Sequence, residues 1–260
     1  MGVINLTPDS FSDGGLFNTP ERALRQATRQ LAAGAAVLDL GAQSTRPGAE
    51  EVGAEEEIRR LIPALKQIRA AHPQAVLSVD TFLAPVAQAA LEAGADWIND
   101  VTGGRRDPAM LPLVAGAGCP YVLMHSRGDS KTMDGLTDYG SDVVAAVLGA
   151  LEDASARAQH AGVTRDQLIW DPGLGFAKTH EQNLALLKGL EVLKTNGFPL
   201  LVGPSRKRFI GSVLDEPRPA ARIWGTAAVV CRCAQAGIDV VRVHDVGPMA
   251  QTIRMAQALW

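Results

Sequence analysis

The sequence predicts a (β/α)8 barrel. Eight short apolar runs, most of them ending in a polar residue, alternate with longer amphipathic segments, and the 260-residue length suits a fold that typically takes about 250. The main competitor is a doubly wound open sheet. That fold calls for a G-x-G-x-x-G turn directly after the first strand, and Gly14-Gly15 comes too late in its loop and lacks that spacing. No Pro/Gly linker divides the chain, so one domain over residues 1–260 is expected.

The first run, Gly2-Val3-Ile4, ends at Asn5 and opens into a Gly- and Ser-rich loop from Thr7 to Phe17. Thr19 with Pro20 reads as an N-cap and first helical position, followed by apolar residues at helical spacing: Ala23, Leu24, Ala27 and Leu31. The second run, Ala36 to Leu40, leads into the loop Ser44-Thr45-Arg46-Pro47-Gly48. A helix from about Ala54 begins with three glutamates, which suits its dipole, and Pro63 inside it should kink it. The third run, Val76 to Val79, ends at Asp80; the fourth, around Trp97-Ile98, at Asn99-Asp100; the fifth, Tyr121 to Met124, at His125. A long helix from Ser141 follows, and the sixth run, Leu168 to Trp170, ends at Asp171-Pro172-Gly173. The seventh, Leu200 to Val202, passes through Gly-Pro-Ser into Arg206, Lys207 and Arg208. There Ser205 suits an N-cap, with Lys207 in the first helical turn. Cations oppose the dipole at that end of a helix, so an anionic or electron-rich ligand or simple surface charge must account for them. The eighth run, Asp239 to Val241, ends at Arg242-Val243-His244, before a last helix.

A formal charge of −3 argues against a nucleic-acid protein held by bulk charge. No stretch is apolar enough to span a bilayer and no signal peptide precedes the first run, which points to a cytoplasmic protein. Cys119, Cys231 and Cys233 form no Cys-x-x-Cys pair and read as reduced thiols.

A barrel carries its working residues at the C-terminal ends of its strands. Those positions hold Asn5, Thr45, Arg46, Asp80, Asn99, His125, Asp171, Ser205, Lys207, Arg242 and His244. Taken singly, each has an ordinary structural alternative: a cap for Asp80, a turn residue for Asp171, a satisfied strand-end histidine for His125, a solvated charge for Arg46. Jointly they sort by chemistry. Arg46, Lys207, Arg242 and His244 suit phosphates or a carboxylate. Asn5 and nearby Asp13 are hard oxygen donors suited to Mg²⁺. Asp80, Asn99 and Asp171 suit a donor-rich planar heterocycle. No Ser-His-Asp order, zinc cluster or P-loop is present, which points to transfer chemistry without a protein nucleophile.

Several motifs, in one order along nearly the whole chain, closely resemble the dihydropteroate synthase family of folate-pathway enzymes. They are Asn5 to Gly15, Ser44 to Gly48, Ser78-Val79-Asp80-Thr81, Ile98-Asn99-Asp100, Asp171 to Phe176, Ser205-Arg206-Lys207 and Arg242-Val243-His244-Asp245. The resemblance implies a (β/α)8 barrel that condenses (7,8-dihydropterin-6-yl)methyl diphosphate with 4-aminobenzoate, with Mg²⁺ as cofactor, in a homodimer. It implies that Asn5 binds Mg²⁺ at the diphosphate with Asp13 assisting. Asp80, Asn99, Asp171 and Lys207 would hold the pterin, and Asp80 and Asp171 would stabilise a pterin cation. Thr45, Arg46, Arg242 and His244 would serve the diphosphate, and Ser205, Phe176 and Pro47 would border the aminobenzoate, where sulfonamides compete in this family. Arg206 and Arg208 are expected to be structural or surface charges.

Two departures stand out. Family members usually carry a short segment before the first strand, so that cover of the barrel bottom is expected to be missing here or encoded upstream. The Val101 to Arg106 loop is more basic and glycine-rich than the family leads one to expect, and reads as a solvated loop. Two other functions compete. A pterin-binding methyltransferase would share the acids without needing a diphosphate site, which Ser205-Arg206-Lys207 with Arg242-Val243-His244 argues against. A catalytically silent paralogue would be expected to lose site residues, and the set is intact.

Overall fold

The structure, a computed structural model, describes residues 1–7, 20–44 and 48–260. The Thr19 cap, Asp13, Thr45, Arg46 and Pro47 lie outside the described residues. Strands β1 (Gly2–Asn5), β2 (Val37–Gly41), β3 (Val76–Asp80), β4 (Trp97–Asp100), β5 (Tyr121–Met124) and β6 (Leu168–Asp171) pair in parallel in chain order. Strands β7 (Leu201–Val202) and β8 (Val240–Val241) pair with each other. Two seams close the barrel. At one, the Trp170 N–H donates to the Pro199 carbonyl at 2.8 Å; at the other, the Val3 N–H donates to the Val243 carbonyl at 3.0 Å.

Helices α1 (Pro20–Ala32), α2 (Ala54–Ala71), α3 (Ala84–Glu92), α4 (Met110–Ala117) and α5 (Val143–His160) each follow the strand of the same number. After β6 come α6 (His180–Lys188) and α7 (Leu190–Lys194); after β7, α8 (Arg208–Leu214) and α9 (Ile223–Gln235); after β8, α10 (Val246–Leu259). With helices outside and packed side chains inside, strands are buried on both faces, which is why β2, β5 and β6 read as buried throughout. The cap of α5 is Asp142 rather than Ser141: its carboxylate accepts from the N–H groups of Val144 and Ala145, where an acid also suits the dipole. Helix α2 continues through Pro63.

The strand period of two divides the side chains between the barrel interior and the helix layer. Trp97, Val122, Ile169, Leu201 and Val240 cluster as an apolar plug inside the barrel. Two residues further along the same strands stand Asn99, Met124, Asp171, Gly203 and Arg242. A polar layer therefore rests on an apolar one, and strand geometry alone points Asn99, Asp171 and Arg242 toward the barrel axis at its C-terminal mouth. The alternate residues, such as Leu38, Leu77, Ile98, Tyr121 and Trp170, join the core beneath the helices. Trp170 is fully buried, stacks on Phe198 at 4.4 Å between centroids and donates from Nε1 to Ser155 Oγ at 2.7 Å.

Trp170→Ala removes this packing and orphans the Ser155 hydroxyl. Chemical denaturation of the variant is expected to show a stability loss of about 3–5 kcal/mol.

Candidate functional site

At the barrel mouth an ion-pair network occupies the polar layer. Arg242, just past β8, donates from Nε to Asp39 Oδ2 at 2.5 Å and from Nη2 to Asp80 Oδ2 at 2.7 Å. Asp39, in mid-β2 and fully buried, also accepts from Ser78 Oγ at 2.6 Å and Asn99 Nδ2 at 3.2 Å. Asp80 and Asn99 are neighbours in the β3–β4 register. Burial pushes the Asp80 carboxyl above its ordinary range, Arg242 opposes this, and Asp39 and Asp100 add to it. Although burial works against it, the charge of Arg242 is held by Asp39 and Asp80, which raise its pKa above the usual guanidinium value. Arg242 is therefore the fixed cation, and Asp80 is a carboxylate that protonates more easily than usual.

Asp171 ends β6, where its Oδ1 accepts from the Gly173 N–H at 2.7 Å. Burial raises its pKa, against that hydrogen bond and against Lys207, Lys178 and Arg242. Gly173 has φ 68° and a Cβ there would lie 1.9 Å from the His125 carbonyl oxygen, so the turn requires glycine. Phe176, half-buried, lies with its ring centroid 4.2 Å from Lys207 Nζ. Burial lowers Lys207 to about 8, with Asp171 and Asp80 opposing and Arg242 adding to the fall.

Ser205 does not cap a helix. Its hydroxyl accepts from the His244 backbone N–H at 3.2 Å and lies 2.9 Å from His244 Nδ1. Helix α8 starts at Arg208, with Lys207 at the N-cap. Between Ser205 and Lys207, Arg206 takes the left-handed φ of 61° and pairs with Asp245 through two contacts, at 3.0 and 2.7 Å. Lys207 stays at the positive end of the helix, and Asp171 and Asp80 are the charges that offset it there. Arg208 points outward to Asp134 at 2.8 Å. Asn5 ends β1, half-buried, beside Gly41 in the register.

The structure thus brings Asp80, Asn99 and Arg242 into one network, Asp171, Lys207 and Phe176 into a second group, and Ser205 and His244 into a pair. A cavity of about 170 Å³, lined by Phe82, Val101, Ser126 and Met133 among others, meets this set at Phe176. Sequence reasoning missed Asp39, Ser78 and Lys178. An acid inside the apolar run Val37-Leu38-Asp39-Leu40 was the available signal for the first. The Val101 to Arg106 loop is more than a solvated loop. Asp100 accepts from the N–H groups of Thr102 and Gly104, and Arg105 donates to the Ser126 carbonyl and hydroxyl at 2.5 and 2.8 Å. Arg106 pairs with Glu51 at the surface.

The family model for pterin binding enzymes matches residues 1–244. The dihydropteroate synthase of Synechocystis sp. is 50% identical over 260 residues, covering 100% of this chain and 89% of that protein. Among solved structures, dihydropteroate synthase from Clostridium difficile in the presence of pteroic acid superposes with a TM-score of 0.92 at 37% identity, covering 100% of this chain and 95% of that one. The Xanthomonas albilineans dihydropteroate synthase with 4-aminobenzoic acid gives a TM-score of 0.92 at 42% identity, over 99% of this chain and 91% of that one.

Near Asp80, Glu57 in the first turn of α2 is 1% exposed with Oε1 unpartnered. Burial raises it from 4.5 to about 7; a hydrogen bond to Thr81 opposes this and nearby Asp80 adds to it. The folded state therefore binds a proton that the unfolded chain has released, and Glu57 makes stability fall as pH rises from about 4.5 to about 7. Glu57→Gln should remove that contribution, roughly 3 kcal/mol at and above neutral pH. Denaturant midpoints measured at pH 5 and pH 8 are expected to differ less in the variant than in the parent.

Proposed function

The chain belongs to the pterin-binding enzyme family, and we infer that it catalyses the dihydropteroate synthase reaction of folate biosynthesis, as its relatives do by name. It is a transferase. It moves a pterinylmethyl group from (7,8-dihydropterin-6-yl)methyl diphosphate to the amine of 4-aminobenzoate, giving 7,8-dihydropteroate and diphosphate. The observation that carries this reading is the inward convergence of Asp80, Asn99 and Asp171 with Lys207 and Arg242 at the barrel mouth.

The heterocycle presents N–H donors in its plane. The Asp80 and Asp171 carboxylates and the Asn99 carboxamide are suited to take them, with Lys207 completing the pocket. As the bond from the methylene carbon to the diphosphate oxygen breaks, its electron pair leaves with the diphosphate. Positive charge grows on the pterin, where Asp80 and Asp171 stabilise it electrostatically. The aminobenzoate nitrogen then bonds that carbon and loses a proton. Arg242 and His244, with Thr45 and Arg46 from the second loop, are assigned to the diphosphate. Ser205, Phe176 and Pro47 are assigned to the aminobenzoate side, and Asp13 to support at the diphosphate.

Mg²⁺ is part of the proposal. Among the described residues no group of three or more His, Cys, Asp or Glu could hold a metal by itself. That suits an ion bound chiefly by substrate phosphates and water, which needs one or two protein oxygens, and Asn5 supplies a hard one. When bound, the ion would neutralise charge on the leaving diphosphate. The protein is further proposed to act in the cytoplasm as a homodimer. Trp224, Val213 and Leu214, 80%, 57% and 46% exposed on α9 and α8, offer the apolar surface for pairing. Among the described residues no helix is long and apolar enough to cross a membrane.

Dihydropteroate formation from the two substrates, with and without Mg²⁺, tests the reading; no product under either condition overturns it. Asp80→Asn should lower kcat by about 10²-fold or more while changing the KM for 4-aminobenzoate much less. Lys207→Ala should weaken pterin-diphosphate binding roughly 10- to 100-fold, read by calorimetry.

A further inference from the structure

We propose that Lys178 is a positioning residue of the pterin pocket, its ammonium pinning the Asp171 to Phe176 segment against β5. The inference rests on the pterin-binding reading above. An ammonium has three N–H donors, and Lys178 Nζ has three partners. It donates to the carbonyls of Gly173 at 3.0 Å and Phe176 at 3.0 Å, and lies 2.9 Å from His125 Nδ1. The first two acceptors flank the turn that carries Phe176; the third belongs to a different strand end.

The segment so held is strained and closely wired. The His125 N–H donates to the Asp171 carbonyl at 2.8 Å, and Gly173 packs against the His125 backbone. Ala177 adopts a left-handed φ of 49°, a conformation unfavourable for a residue with a Cβ. From the other side, Asn183 of α6 accepts from the Gly175 N–H at 2.6 Å and donates to the Thr179 carbonyl at 2.6 Å. Asp171 and Phe176, the two groups of this segment assigned to ligands, thus take their positions from Lys178 on the inside and Asn183 on the outside. A half-buried cation that satisfies two loop carbonyls is well suited to such a task.

Charge supports the same role. The ammonium is desolvated by burial, which lowers it to about 7 against the pull of Asp171, with Lys207, Arg127 and Arg105 adding to the fall. Burial, then Lys178, Arg105 and Arg127, holds His125 down at about 2, so the ring is neutral, and in its Nε2–H tautomer Nδ1 accepts from Lys178. Tyr139 flanks both groups, 5.8 Å from the His125 ring and 5.9 Å from Nζ. Lys178 is also one of three cations, with Lys207 and Arg242, that favour the ionised form of Asp171. Removing it raises the Asp171 pKa further, so ligand binding that needs the carboxylate is lost at higher pH as pH falls. Asp80, faced by Arg242, Asp39, Asp100 and Lys207, contributes its own acid limb in both proteins.

The test is calorimetric titration with pteroic acid across pH for the parent, Lys178→Met and Ser155→Ala. Ser155→Ala removes the buried bond to Trp170 on the helix side and serves as the control for plain destabilisation. Lys178→Met is expected to raise Kd roughly 10- to 100-fold and to move the acid limb upward, whereas Ser155→Ala keeps the parent Kd and limb. An unchanged Kd, an unmoved limb, or a loss that Ser155→Ala reproduces would each overturn the proposal. A parent protein that neither binds pteroic acid nor forms dihydropteroate would instead overturn the functional reading. If Lys178→Met does not fold, nitrogen-15 spectra of the histidines in the parent protein decide. His125 must show an acceptor Nδ1, and that resonance must shift on saturation with pteroic acid; a protonated Nδ1, or no shift, overturns the proposal.

Discussion

The sharing of Arg242 between Asp39 and Asp80 is the constraint on which the barrel mouth depends. A guanidinium cannot be taken into a barrel interior unless charge and hydrogen bonds meet it there. Meeting it requires the last strand to present Arg242 across the lumen to acids on the second and third. Asp39 then uses its remaining capacity on Ser78 and Asn99. Three charges thereby set the rotamers of residues from four strands before any ligand arrives. Losing Arg242 would leave the buried carboxylates without their cation, a cost of about 3–5 kcal/mol.

Much of the fold was legible because it rests on local rules. Every apolar run became a strand, since a chain buried on both faces must be apolar along its length. The double helices after β6 and β7 were less legible, because amphipathic spacing does not mark a break such as Gly189 between α6 and α7. At the site, position was readable and wiring was not. Asp80, Asn99 and Asp171 end their strands as polar punctuation. Ser205 looked like a helix cap by local preference, but a histidine 39 residues later claims its hydroxyl. Lys178 left no signal at all, since its histidine partner is 53 residues away and a lone lysine in a loop looks like surface charge. Asp39 was visible as an anomaly and could have been read as one.

The vertical order of the barrel follows from the same pleat. The plug around Val122, Ile169 and Leu201 supplies apolar burial at the lower level. One pleat higher, the same strands present charges that contribute little net stability. Apolar burial below offsets the polar layer above, and the loops that shape the mouth are in turn held by paired or fully hydrogen-bonded groups: Arg206 with Asp245, Arg105 with Ser126, Lys178 with its three acceptors. Rigid elements and satisfied anchors preorganise a site in this way.

The two seams carry a thermodynamic consequence. Strands β7 and β8 are two residues long and meet β6 and β1 through single bridges, yet Lys207 and Arg242 follow directly on them. An anionic or electron-rich ligand that engages these cations together with Asp80 or Asp171 therefore joins the two sheets by a route outside the backbone ladder. Ligand occupancy and closure of the cylinder become linked equilibria: each ligand molecule that prefers the closed form also stabilises it. The least hydrogen-bonded part of the barrel is thus the part with most to gain from its own ligand.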